Sequence, residues 1–180
     1  TLFPNGGRIQ PLRSVTRIDR ADAPPIVPTA RPARRVARRD TTYLVTSMME
    51  SVMDEGTGSG ARAAGFELAA AGKSGTTNDL RDAWFVGFTP ELLAVVWVGF
   101  DDNQPLGLTG AQAALPIWTA FMQRALAGRP NAAFLAPPGI VHAPIDRDTG
   151  LRAAPGCPRV LNEAFLEGTA PAETCEFHRF

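Results

Sequence analysis

The residues best suited to chemistry in this chain are Lys73, Ser74, Gly75, Thr76 and Thr77, an ammonium followed at once by hydroxyls and a glycine. On a strand edge that glycine keeps clear, such a run suits the binding of a carboxylate and of an oxyanion. The Lys73 charge attracts an anionic substrate group and lowers the pKa of a neighbouring hydroxyl. Ser74, Thr76 and Thr77 can donate hydrogen bonds, and Gly75 lets a substrate backbone approach closely. Lys73 is also the chain's sole lysine, since 17 of its 18 basic residues are arginine.

Other reactive side chains make weaker patterns. Asp82, Asp101 and Asp102 each adjoin a strand end or a turn, where a solvated or hydrogen-bonded loop carboxylate is the expectation. Cys157 and Cys175 lie among proline and glycine, where a cross-link would close a poorly constrained loop. With His178 they spell C-x17-C-x2-H, which offers three metal ligands and lacks a fourth unless His142 swings in. A disulfide between Cys157 and Cys175 is preferred to that arrangement and implies an oxidising compartment; no metal centre and no cofactor is expected. Neither histidine pairs with a nucleophile in the sequence.

The elements that must position the lysine run are legible on both sides of it. Asp40 stands at a helix N-cap position, and Tyr43, Leu44, Val45, Met48, Met49, Val52 and Met53 recur with helical spacing up to Gly56-Thr57-Gly58. Residues 66–71 lead into the lysine run, and Asn78-Asp79 follows it as a turn. Residues 83–88 and 92–100 are two further strands joined by Thr89-Pro90-Glu91, so three sequential antiparallel strands are predicted. Ala114, Leu115, Trp118, Phe121, Met122, Ala125 and Leu126 mark one face of a helix that stops at Gly128.

The remainder reads as turns and linkers. Pro4-Asn5-Gly6-Gly7 is a turn signal opening a hairpin, and Ser14 to Ile18 alternates as a short strand. Residues 22–32 hold too many prolines for regular structure and read as a linker or surface loop. Arg34, Arg35, Arg38 and Arg39 form a solvated basic loop rather than an anion site, because positive charge at a helix N-terminus opposes the macrodipole. After Pro130 proline returns, with a hairpin expected around residues 146–150 and little regular structure beyond it. The domain reading is residues 1–130 as one portion and residues 131–180 as a proline-rich extension.

Length and charge set limits. A chain of 180 residues with 44% hydrophobic content can bury one core, and its formal net charge of zero gives no global field for nucleic acid or an anionic membrane. The longest apolar run, residues 92–100, falls far short of the ~20 residues of a membrane helix. The chain opens on Thr1 without a signal-like segment, and is expected to be a piece of something longer.

Together these segments resemble class A penicillin-binding proteins, the bifunctional peptidoglycan synthases. The resemblance runs from about Phe3 to Pro138. It is carried by Asn5-Gly6-Gly7, by residues 55–58 (Glu-Gly-Thr-Gly) and by residues 71–79 (Ala-Gly-Lys-Ser-Gly-Thr-Thr-Asn-Asp). Residues 82–90 (Asp-Ala-Trp-Phe-Val-Gly-Phe-Thr-Pro), 96–103 (Val-Trp-Val-Gly-Phe-Asp-Asp-Asn) and 108–118 (Leu-Thr-Gly-Ala-Gln-Ala-Ala-Leu-Pro-Ile-Trp) complete it, in family order. It implies an α/β (α+β) fold like that of transpeptidases and β-lactamases, an antiparallel sheet with helices packed on it, here incomplete.

By that resemblance the parent is a serine-type D,D-transpeptidase that cross-links peptidoglycan stem peptides through an acyl-enzyme and binds β-lactams. The parent would also be a peptidoglycan glycosyltransferase, anchored by an N-terminal membrane segment and facing the periplasm. Lys73 would hold substrate electrostatically and support proton traffic, Ser74 would replace the commoner threonine, and Gly75 would leave room for substrate. Thr76 would give its N–H to the oxyanion hole and its hydroxyl to the substrate carboxylate, with Thr77 beside it. The family's other two motifs are S-x-x-K, which holds the nucleophile, and S-x-N. With one lysine in the chain and Ala70 three residues before it, S-x-x-K cannot occur, and no S-x-N occurs either. The expected partners are therefore the stem peptide, β-lactams and the upstream part of the same protein, without which this chain is inactive, marginally stable or self-associating. Two other identities share the lysine motif: a serine β-lactamase fragment, and a non-catalytic β-lactam-sensing or wall-binding module.

Overall fold

The structure is a computed structural model that describes residues 2–176. Its centre is a three-stranded antiparallel sheet of β5 (Ala71–Thr76), β6 (Ala83–Phe88) and β7 (Leu93–Val98) in that order, with β5 at one edge. The register runs Ala71 opposite Phe88 to Thr76 opposite Ala83, then Ala83 opposite Val98 to Phe88 opposite Leu93. Thr89 closes the second hairpin, its hydroxyl accepting from the amides of Glu91 and Leu92 at 3.3 and 3.2 Å. The sheet carries helices α1 (Arg39–Asp54) and α3 (Gly110–Ala125), with the short α2 (Ser59–Ala63) between them. This is the predicted antiparallel sheet with helices packed on it.

Both long helices lie on one face, and side-chain size explains how they fit. Phe85 points from β6 into a core of Met53, Ala61, Phe66, Ala70, Ala114, Leu115, Trp118, Met122 and Leu126. The fully buried Trp118 meets Phe66 and Phe85 edge-on, with ring centroids 5.3 and 5.2 Å apart, and donates its indole N–H to the Gly87 carbonyl at 3.2 Å. A Cβ at Gly87 would sit 2.6 Å from the Trp118 ring, so glycine at that site is what lets the indole lie flat against the sheet. Helix α3 starts on a capping box: the Thr109 side chain accepts from the Gln112 amide while Gln112 accepts from the Thr109 amide at 3.0 Å.

The opposite face of the sheet is open. Trp84, Val86, Val95 and Trp97 stand on it with 39%, 37%, 52% and 44% of their surface exposed, an apolar patch that no described element covers.

Several local expectations are corrected. Helix α1 begins one residue before Asp40, with Arg38 at the N-cap, because Asp40 is occupied by the Arg38 guanidinium and the Thr41 amide. Those contacts hold the Asp40 carboxyl down to about 2. The turn at residues 4–7 does not open a hairpin with residues 14–18. Instead β1 (Arg8–Ile9) pairs with β4 (Arg34–Arg35), which brings two of the loop arginines into a strand. The proline-rich stretch also contains a strand, β3 (Ala23–Ile26), paired with β2 (Ile18–Arg20). An exposed two-stranded ribbon tolerates proline because one side of each strand needs no ladder hydrogen bond. At the C-terminal end the chain turns back at residues 146–150 as expected, with Ile145 bridging Arg152, but β8 (Ile140–Asp146) pairs along its whole length with β9 (Val160–Leu166), beyond the turn, where little regular structure was expected. This hairpin lies along α1, through an edge-on Tyr43–His142 contact and an Arg147–Glu55 ion pair.

Replacing Trp118 with alanine should lower unfolding free energy by about 3–5 kcal/mol, read from denaturant titration, whereas Val95→Thr on the open face should change it by less than about 0.5 kcal/mol. A second expectation concerns pH. Burial, and then the charge of Asp54, push the Glu50 carboxyl up to about 7 from its ordinary 4.5, with Arg62 opposing. The fold thus favours protonated Glu50, a contribution present below pH 4.5 and lost as pH rises through 7. Glu50→Gln should raise the melting temperature at pH 8 and leave it nearly unchanged at pH 4.

Candidate active site

Strand β5 carries the lysine run, and its pleat divides the run between the two faces of the sheet. Lys73 and Gly75 pair with Val86 and Trp84, placing them on the open face. Gly72, Ser74 and Thr76 pair with Gly87, Phe85 and Ala83 on the helix-covered face. The Lys73 ammonium is exposed and donates to the Ser74 carbonyl at 2.7 Å. An edge strand with a cation, a glycine and an apolar floor is suited to an extended, anionic ligand lying along it.

The hydroxyls are already engaged, and mostly away from that open face. Ser74 Oγ lies 2.8 Å from Thr57 Oγ1, Thr76 Oγ1 accepts from the Gly110 amide at 3.1 Å, and Thr77 Oγ1 donates to Asp82 at 3.1 Å. The N-terminus of α3 can come this near because residue 110 is glycine: a Cβ there would sit 2.6 Å from the Gly75 carbonyl. The five candidate residues are therefore contiguous, but the structure brings only Lys73 and Gly75 onto one open surface. The Ser74 and Thr76 hydroxyls serve as struts that hold β5 to the 55–58 loop and to α3.

Thr57 was not singled out by its chemistry, although the Glu-Gly-Thr-Gly segment that holds it was visible. Its neighbour Glu55 pairs with Arg147 of the C-terminal hairpin, so a continuous set of contacts runs from that hairpin through the 55–58 loop to Ser74. Asp82 proves structural: it accepts from the Trp97 indole at 2.8 Å and from Thr77, and its own amide donates to Thr77 Oγ1 at 2.8 Å. Asp102 accepts from the Gln104 amide at 3.3 Å. His142 packs on Tyr43. Cys157 and Cys175 are not bonded to each other, and His178 lies outside the described residues.

With this geometry in place, comparison with known proteins defines the class. The penicillin-binding protein transpeptidase domain matches residues 1–123, and the C-terminal domain of penicillin-binding protein 1A matches residues 136–180. The chain belongs to the penicillin-binding protein transpeptidase family, and within it to the class A type. It is 42% identical over 147 residues to penicillin-binding protein 1A of Pseudomonas aeruginosa, covering 81% of this chain and 18% of that protein. It is 32% identical over 181 residues to penicillin-binding protein 2D of Bacillus subtilis, covering 97% and 26%. The crystal structure of penicillin-binding protein 1A from Haemophilus influenzae superposes with a TM-score of 0.70 at 33% identity, over 82% of this chain and 23% of that one. The chain thus spans between about a fifth and a quarter of the length of these relatives.

Because Asp82 joins β5, β6 and β7 rather than facing a reactant, Asp82→Ala should act through the fold. Removing the acceptor of the exposed Trp97 N–H and Thr77 hydroxyl should cost about 0.5–1.5 kcal/mol in a denaturant titration.

Proposed function

We propose that this chain is the lysine-strand portion of a D,D-transpeptidase that cross-links peptidoglycan stem peptides and is acylated by β-lactams. The observation that carries the reading is the pairing of an exposed edge-strand lysine with an open apolar sheet face, in a chain that lacks both S-x-x-K and S-x-N. The nucleophilic serine then belongs to the upstream part of the same protein, and that part covers Trp84, Val86, Val95 and Trp97. Residues 1–130 are assigned to the transpeptidase domain and residues 131–180 to a C-terminal extension. The parent is assigned to the periplasmic side of the membrane, and its glycosyltransferase activity is part of the same proposal.

In the complete site the serine oxygen attacks the carbonyl between the two terminal D-alanines. The C–N bond breaks, D-alanine leaves, and a stem-peptide amine attacks the ester and frees the serine. Lys73 holds the substrate carboxylate and the serine's proton network through its charge. The β5 edge contributes backbone N–H at Thr76 to the developing oxyanion, a contribution worth roughly 3–4 kcal/mol per donor in serine acyl transfer. Gly75 keeps that edge clear, and Ser74, Thr76 and Thr77 fix the strand's position through the hydroxyl contacts described above.

A fluorescent penicillin tests this. The isolated chain should remain unlabelled and the parent should label covalently. In the parent, Lys73→Ala should slow acylation by on the order of 10²-fold, and Thr57→Val, which removes the strut under Ser74, by less. Covalent labelling of the isolated chain would place the nucleophile inside it and overturn the reading.

A further inference from the structure

The two matched domains, residues 1–123 and 136–180, meet along α1. Near the start of that helix the Tyr43 and His142 rings meet edge-on, with centroids 6.2 Å apart. At its other end Arg147 reaches Glu55, the C-cap residue. About 18 Å of helix separates the two contacts, so the hairpin is held along α1 rather than at one point. Arg147 is directed at Glu55 by its own turn. Its amide donates to the Arg159 carbonyl at 3.0 Å, and the Gly150 amide donates to the Asp146 carbonyl at 2.8 Å, which closes residues 146–150. The neighbouring carboxylate, Asp148, is taken by the Arg159 guanidinium. Arg147 therefore pairs with a residue 92 positions away rather than within its own hairpin.

Glu55 in turn belongs to a loop built as one tight piece. Its amide donates to the Ser51 carbonyl at 2.9 Å, and the Gly56 and Gly58 amides donate to the Val52 carbonyl at 3.1 and 2.9 Å. A Cβ at Gly56 would sit 2.9 Å from Val52 Cα, and one at Gly58 would sit 2.9 Å from Met53 Sδ, so the loop is pressed onto the last turn of α1. Thr57 is fixed between these glycines, and its Oγ1 lies 2.8 Å from Ser74 Oγ. Ser74 stands between Lys73 and Gly75 on an edge strand, which has a ladder on one side only. Side-chain contacts must set the rest of that strand's position.

Given the reading of the β5 edge as part of an acylating site, on which this rests, we propose that Arg147 is a positioning residue for that edge. It acts through Glu55 and Thr57 on Ser74, and so on the placement of Lys73, Gly75 and the Thr76 N–H, without touching substrate. An exposed ion pair contributes little to overall stability, whereas a misplacement of about 1 Å at a reacting group can cost on the order of 10²-fold in rate. Loss of the pair should therefore show in acylation before it shows in melting.

The test uses the parent protein and a fluorescent penicillin over a range of concentrations up to saturation, which separates binding from the acylation step. Arg147→Glu should slow that step about three- to tenfold, with the half-saturating concentration unchanged and the melting temperature within about 2 °C of the unaltered parent. Arg147→Lys should recover most of the rate, and exchanging the pair, Arg147→Glu with Glu55→Arg, should return it to within about twofold. Adding Thr57→Val to Arg147→Glu should slow acylation no further than the slower single variant, because both act through the same contacts.

An acylation rate unaltered by Arg147→Glu, in a parent that Lys73→Ala slows, would overturn the proposal and leave the reading of the site standing. A parent indifferent to Lys73→Ala would overturn that reading, and the proposal with it. A slow Arg147→Glu parent that the pair exchange does not recover, or whose melting temperature falls in step with its rate, would reduce the hairpin to a structural role and overturn the proposal. Hydrogen exchange gives a second readout that needs no acylation: in this chain Arg147→Glu should speed exchange at residues 55–58 and 72–76 and leave residues 93–98 unchanged. Unchanged exchange at residues 72–76 would also overturn it.

Discussion

The structure depends on how closely two helices approach one face of a three-stranded sheet. Trp118 lies against the backbone of Gly87, and Gly110 brings the start of α3 within reach of Thr76 and Gly75. Larger residues at either glycine would lift α3 from the sheet and open the core around Phe66 and Phe85. The same arrangement uses up the sheet's covered side. The sheet's open surfaces are then the β5 edge and the opposite face, where Lys73 stands with Trp84, Val86, Val95 and Trp97.

That division gives the lysine motif a more specific meaning than its residue types convey. An ammonium and several hydroxyls in a row read as one polar surface, but a strand alternates its side chains. Ser74 and Thr76 therefore look inward to Thr57 and α3, while Lys73 and Gly75 look outward. The hydroxyls hold the strand in place and leave the lysine exposed on the open face. The loop at residues 55–58 joins this arrangement to the C-terminal hairpin through Glu55 and Arg147, so the hairpin bears on the strand without approaching Lys73.

The sequence was most legible where pattern and packing agree. The 3.6-residue spacing around Met53 and Trp118 located α1 and α3, and β-branched and aromatic runs located β6 and β7, because the side chains that set those patterns also build the core. It was least legible where pairing is remote or weakly apolar. Prolines hid β3, since an edge position was not foreseeable from the strand alone. The mixed run in β9 shows its alternation only when β8 lies beside it. The contact of Thr57 with Ser74 arises from a chain crossing that no local spacing records.

On the proposed function, the Lys73 face is half of a site completed by an upstream serine. A crystal structure of the parent protein acylated by a β-lactam tests it most directly. The serine-bearing segment should pack over Trp84, Val86, Val95 and Trp97, with the lactam lying along β5 and its carboxylate within hydrogen-bond reach of Lys73 or its immediate neighbours. An acylated serine remote from β5, with that sheet face still open to solvent, would contradict it.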